Sequence, residues 1–247
     1  MIMVYVAGLA SGEAGKWLMT PSAAAREVWH ATLKERFTRV ERAADVKNDG
    51  QPLTINHRVA FKALTEASIT DDEVVADYLG GVLAASEPND DAGAAIVALI
   101  GRLSSQQLRL HYLIYREFRR VWPQGKSVNL HDSGRVKRAG IRLRLVDLMN
   151  ALGPSGVAGV TANITVLARE GLIAEEWRVQ SHEGQAVAEV RPSGIGAEFF
   201  LWGHGAKPIT ALRVIDPTTE LRFLTEVPDA PNTTLINPPS LEEASSA

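Results

Sequence analysis

The chain has 247 residues, a formal net charge of -3, 45% hydrophobic and 22% charged residues, and no cysteine. That is enough apolar side chain for one large core or two small ones. A mean hydropathy of -0.04 and the lack of any apolar run near the roughly 18 residues a span needs argue against an integral membrane protein. The missing cysteine removes disulfide frameworks, thiolate metal sites and cysteine nucleophiles together. The first ten residues are apolar, but no basic region precedes them and Gly12, Glu13 and Lys16 follow. They do not read as a signal peptide, and a cytoplasmic protein is expected.

The helical elements come first. Trp29, Leu33, Phe37, Val40 and Ala44 recur at three- and four-residue steps behind Ser22, a candidate N-cap, and predict a long amphipathic helix. Asn48, Asp49, Gly50 and Pro52 break it, and Val59, Ala63, Leu64 and Ala67 mark a second. Thr70 with Glu73 fits a capping box, opening a third helix along Val74, Val75, Tyr78, Leu79, Val82 and Leu83. Ile96, Leu99, Ile100 and Leu103 predict a fourth helix. Ser104 with Gln107 caps a fifth, through Leu108, Tyr112, Tyr115 and Phe118 to Trp122-Pro123. The first half is therefore expected to be a helical bundle over residues 1–122.

The pattern then changes. Ile141-Arg142-Leu143-Arg144-Leu145 alternates with period two, as a half-buried strand does. A short helix at 146–152, a break at Gly153-Pro154-Ser155-Gly156, a second helix through Ile164 and Leu167, a Gly171 stop and a strand pair turning at 181–184 follow. Strand, helix, helix, hairpin is the order of a winged helix. The expected fold class is mainly α, a bundle followed by a winged-helix-like α+β subdomain over 141–227. Residues 123–140 are expected to form a basic linker or insertion, and residues 228–247, rich in Pro, Asn, Ser and Ala, a disordered acidic tail.

Charge is unevenly spread. Residues 109–144 hold ten basic side chains against Glu117 and Asp132, a net of +8, and residues 214–247 hold six acids against Arg222, a net of -5. A basic middle and an acidic end suggest an anionic partner for the middle or a contact between the two. The candidate anionic-partner residues are Arg135, Lys137, Arg138, Arg142 and Arg144.

An ordered set of segments carries a family resemblance. They are Glu35-Arg36-Phe37-Thr38-Arg39-Val40; Leu64-Thr65-Glu66-Ala67-Ser68 followed by Asp71-Asp72-Glu73; Val82-Leu83-Ala84-Ala85; and Leu103-Ser104-Ser105-Gln106-Gln107-Leu108. Leu167-Ala168-Arg169-Glu170-Gly171-Leu172-Ile173 and the closing Arg191-Pro192-Ser193-Gly194-Ile195-Gly196-Ala197-Glu198-Phe199 complete them. The chain resembles the abortive-infection alpha family, bacterial proteins first catalogued as a domain of unknown function, over about residues 10–202. The segment 121–140 departs from that pattern, and the tail lies outside it. The resemblance implies a role in defence against phage and implies no catalytic residue.

No reaction motif competes with this. The six histidines are far apart and none makes a metal-binding pair on one helix face. Asp71-Asp72-Glu73 and Asn89-Asp90-Asp91 fall where helices begin, where capping accounts for them. The Gly153 to Gly159 loop is neither a P-loop nor a dinucleotide fingerprint. No catalytic, cofactor or metal site is expected. The second helix of the winged-helix pattern has one Arg, one Asn and one Glu, which is poor provision for reading DNA. The leading expectation is a non-enzymatic interaction or sensor protein with a protein partner or a homo-oligomeric state. The alternatives are a nucleic-acid-binding regulator making backbone contacts, and an enzyme acting on nucleic acid or a nucleotide.

Overall fold

The computed structural model describes residues 23–123, 139–153, 156–206, 221 and 227–237. Five helices come first: α1 (Ala23–Lys47), α2 (His57–Ala67), α3 (Glu73–Ala85), α4 (Gly93–Ile100) and α5 (Ser105–Val121). Then follow β1 (Gly140–Arg144), α6 (Leu145–Leu152), α7 (Gly156–Arg169), the hairpin β2 (Arg178–His182) and β3 (Gln185–Val190), α8 (Gly194–Gly203) and β4 (Thr234–Ile236). The chain is mainly helical with a small antiparallel sheet ordered β2-β3-β1-β4, as the hydrophobic periodicity indicates.

Local chemistry sets the ends of these elements. Asn56 accepts from the Arg58 N–H at 2.9 Å and starts α2. Ser104 and Gln107 make both bonds of the expected capping box. At α3 the cap differs: Asp72, not Thr70, accepts from the Val74 N–H at 2.9 Å, and the Thr70 hydroxyl accepts from the Asp72 N–H. A carboxylate facing the helix N-terminus is a stronger acceptor there than the hydroxyl two residues earlier. Glu183 and Gly184 both have positive φ, 51° and 74°, the backbone of a two-residue turn whose twist matches its strands.

Apolar alternation on the sheet points Ile141, Leu143, Ala188 and Val190 inward, all buried, and Arg142 and Arg144 outward. The core that receives them runs without interruption from Phe37 to Ala230. The boundary near residue 122 thus separates two patterns of secondary structure that share one core. α8 lies against α3 and α5, and α6 and α7 also pack on α5, so the two halves are joined across several helices. A Cβ on Gly81 would run into the Gly203 carbonyl, and one on Gly80 into the backbone of α1 at Ala43 and Ala44. The glycine pair lets α3 be gripped from two sides. Lys47, at the end of α1, seals the same junction, donating to the Asp77 carbonyl at 2.7 Å and the Gly203 carbonyl at 2.6 Å while pairing with the Asp77 carboxylate at 2.6 Å. Burial lowers the Lys47 pKa and raises that of Asp77, and the attraction between the two opposes both shifts.

Part of the segment expected to be a disordered tail is folded against the core. Val227 and Ala230 are buried, and residues 234–236 form β4 on the β1 edge, pairing Leu235 with Ile141 and Thr234 with Arg142. Composition understates this segment because its docking uses backbone atoms, as described below. Residues 238–247 lie outside the described residues.

The centre of the core is aromatic and contains one histidine. The Gly196 carbonyl can only accept, so His111 Nε2 donates to it at 3.0 Å. His111 Nδ1 therefore accepts from the Tyr78 hydroxyl at 2.7 Å. The Tyr115 hydroxyl donates toward the Leu172 carbonyl at 2.7 Å and accepts from the Ser193 N–H at 2.8 Å. Burial holds His111 neutral, its pKa pushed from 6.5 down to about 3 despite the Gly196 bond.

Two outcomes are expected. Gly81→Ala should destabilise the fold by about 1–3 kcal/mol, because backbone rather than a movable side chain must give way; a thermal midpoint unchanged from wild type would contradict this packing. Between pH 6.5 and about 3 the unfolded chain binds a proton at His111 that the folded chain refuses. Stability should then fall with falling pH by about 1.4 kcal/mol per unit from this group alone. Urea denaturation series at several pH values should show His111→Gln lacking that component of the slope.

Candidate functional site

The candidate residues fall on the outward face of the sheet. Register places Arg142 of β1 beside Glu189 of β3, and Glu189 beside Arg178 of β2. Arg142 donates to Glu189 Oε1 through Nε at 3.0 Å and Nη2 at 2.6 Å. Arg178 Nε reaches Glu189 Oε2 at 2.6 Å, and Gln180 donates to Oε1 at 2.7 Å. Arg142 Nη1 also lies 2.8 Å from His182 Nε2, which can only accept from a guanidinium. Burial works to raise the Glu189 pKa, and the hydrogen bonds and charges of Arg142 and Arg178 together outweigh it, holding the carboxylate below its usual range. Arg144 lies 3.8 Å from Asp147.

Of the five candidate residues, then, the structure places Arg142 and Arg144 on one face and gives each a carboxylate. Arg135, Lys137 and Arg138 lie outside the described residues. The same neutralisation extends through the basic middle of the chain. Arg109 pairs with Asp72 at 2.9 Å, Arg116 with Asp229 at 3.2 Å and with Glu117 at 3.2 Å, and Arg120 with Glu117 at 2.6 Å. These five described arginines of the basic stretch are matched within the fold, one of them by the acidic C-terminal region. The net charge of +8 counted along the sequence is not a +8 surface.

Beside this row, at the end of the sheet where β4 finishes, lies a cleft of about 230 Å³ lined in part by Trp177, Arg178, Glu189, Arg191 and Asn237. Its charges alternate in sign, and Arg191 is paired with Glu176. It falls short of the roughly 300 Å³ at which small-molecule pockets begin.

The other residues weighed from sequence have structural partners. Asp71 takes a two-fingered contact from Arg36 at 2.7 and 2.8 Å. The Arg36 hydrogen bond, with Arg36 and Arg39 adding their charge, keeps the Asp71 pKa below the ordinary carboxylate range. Asp90 accepts from the Ala92 N–H and Asp91 pairs with Arg58. Among the described residues no three His, Asp or Glu side chains converge in a way that could hold a metal ion. Gly153 and Gly156 both have positive φ, 82° and 62°, just after α6 and at the start of α7. α7 exposes Val157, Ala158, Ala162 and Thr165, with a single charged side chain, Arg169, at the C-terminal end of the same face.

Sequence reasoning missed the polar residues of α5. His111, Arg116 and Glu117 are buried. Their signal was present, because Leu110, Leu113 and Ile114 carry apolar side chains outside the Leu108-Tyr112-Tyr115 stripe, as expected for a helix covered on all sides.

Comparison of the chain with protein-family models, curated proteins and solved structures finds no match. Function must therefore be argued from the site itself.

Glu189 is one carboxylate held by two arginines of unequal exposure, with side chains 22% exposed for Arg142 and 66% for Arg178. Arg142→Ala should cost about 1–3 kcal/mol by stranding a mostly buried carboxylate, and Arg178→Ala less than about 1 kcal/mol. Chemical denaturation of both variants checks the order, and equal costs would mean that the row is merely a surface pairing.

Proposed function

We propose that the chain is a non-enzymatic interaction or sensor protein of the abortive-infection alpha kind, acting in the bacterial cytoplasm in defence against phage. On this reading the second half is a winged-helix-like unit that meets a protein. The ordered segments described above support the first part. The second is supported by the topology: β1 sits beside β3, β2 and β3 form a hairpin, and α6 and α7 lie at 85° to one another, close to the roughly 90–120° of such helix pairs.

The observation that carries the choice of a protein partner is the exposed face of α7. In a DNA reader this second helix enters the major groove with Arg, Lys, Asn or Gln against bases and phosphates. Here Val157, Ala158, Ala162 and Thr165 face solvent, and Arg142, which could have supplied phosphate contacts from the neighbouring strand, is committed to Glu189. Arg169 is the one charged side chain on this face, at its C-terminal end, and a face of mostly small uncharged side chains suits packing against another protein surface. Homo-oligomerisation is one form such packing takes.

Backbone binding of nucleic acid is the competing reading. It draws on the charge of residues 124–138, where Lys126, Arg135, Lys137 and Arg138 stand against Asp132.

One experiment separates the two. Cells expressing the wild-type chain should resist phage infection in a plaque assay, and the double variant Ala158→Glu/Ala162→Glu should lose that protection while keeping its helical circular dichroism. Arg135→Glu/Lys137→Glu/Arg138→Glu should keep it. Fluorescence anisotropy with labelled duplex DNA and single-stranded RNA should show no binding at low salt. Salt-sensitive binding that vanishes in the triple variant, with protection lost alongside, would shift the assignment to a nucleic-acid regulator.

A further inference from the structure

The C-terminal segment 227–237 is held in an unusual way for a piece of core. Arg116, on α5, donates to the Val227 carbonyl at 2.7 Å through Nη1 and to the Pro228 carbonyl at 2.7 Å through Nη2. Arg120 donates to the Ala230 carbonyl at 3.1 Å, and the Ala230 N–H donates to Glu117 at 3.4 Å. Further along, residues 234–236 pair through the backbone with β1. Only Val227 and Ala230 are buried apolar side chains in this stretch, and the one acid between them, Asp229, pairs with Arg116.

Two features set this contact apart from permanent packing. The first is the floor beneath the segment, where Arg116 and a fully buried Glu117 stand. Charges are costly to enclose and apolar side chains serve a permanent interior at least as well, whereas charges suit a surface that meets water when uncovered. The second is that the arginines hold the segment through its own backbone carbonyls, at Val227, Pro228 and Ala230, groups that any extended chain also offers.

We propose that the β1 edge and the Arg116-Glu117-Arg120 row of α5 form a peptide-binding groove, that residues 227–237 cover it as a strap, and that its partner is an extended acidic peptide. The partner adds as a strand to β1, its carbonyls accept from Arg116 and Arg120, its carboxylate meets Arg116 at the place of Asp229, and small side chains fill the places of Val227 and Ala230. Strand addition supplies affinity through the backbone, and the arginines and small pockets supply the selection. This surface is separate from α7, and the variants below leave α7 untouched.

The test uses the full-length chain. Ala230→Arg puts a long cation where a fully buried methyl group sits in the apolar core, and so weakens the strap. The probe is a fluorescein-labelled synthetic peptide of residues 226–237 of the chain, measured by anisotropy. The wild-type chain should bind it weakly, because its own strap occupies the groove. Ala230→Arg should bind it tighter by roughly tenfold or more, since apparent affinity scales with the fraction of open groove. Adding Arg116→Gln and Arg120→Gln to Ala230→Arg should abolish binding, and a probe carrying Asp229→Lys should fail on every chain. A folded Ala230→Arg chain that does not bind the probe overturns the proposal. If Ala230→Arg does not fold, recovery of its helical circular dichroism on adding the peptide supports the groove, and failure to recover shows the segment to be fixed structure and overturns it.

Discussion

The structure depends on enclosing α5. Nine consecutive residues of this helix, 110 to 118, are buried, so its polar side chains take their partners from inside the protein. Those partners come from widely separated parts of the chain. His111 is satisfied by Tyr78 of α3 and the backbone of α8, Tyr115 by the turns that precede and follow the β2–β3 hairpin, and Arg116 and Glu117 by residues 227–230. One helix thus obliges α3, α8 and the turns flanking the hairpin to assemble around it, while the C-terminal segment lies over its charged end. The glycines of α3 serve the same requirement, since α8 reaches its place beside α5 only by resting on Gly81.

Much of this was legible in sequence. Apolar spacing located α1 to α5, and the alternation Ile141, Leu143 against Arg142, Arg144 identified a strand with its inward and outward faces correctly assigned. These features are local, fixed by the period of the backbone itself. What failed was non-local. Nothing within three residues of His111 shows that Gly196 will offer it a carbonyl, and nothing in the Pro- and Asn-rich stretch after 227 shows that an arginine over one hundred residues earlier will grip its backbone. Composition registers side chains, and that docking is made mostly of carbonyls. The Thr70 cap failed for a smaller reason, that two adjacent residues could serve and the carboxylate prevailed.

The charge pattern teaches the same lesson about the candidate site. Counting along the chain finds the arginines and misses the acids that fold onto them, because Asp72, Glu189 and Asp229 come from elements outside the basic stretch. A run of like charge identifies a binding surface only when the fold leaves it unmatched. In this run Arg109, Arg116, Arg120, Arg142 and Arg144 are each matched by a carboxylate.

Glu117 and Glu189 show how the same motif acquires different roles. Each is a mostly or fully buried carboxylate held by two arginines. Around Glu189 all three members lie on neighbouring strands in one row, so the triad opposes any slip in register, which would move the carboxylate to the other face of the sheet. Around Glu117 the arginines come from the same helix, at positions fixed by α5 whether or not anything lies above them. The remaining donors of that second group are turned outward to a chain segment and have no part in holding α5 together. A charged cluster that its own helix positions in advance is suited to receiving a strand, and the strand it now receives is made of backbone that another extended peptide also possesses.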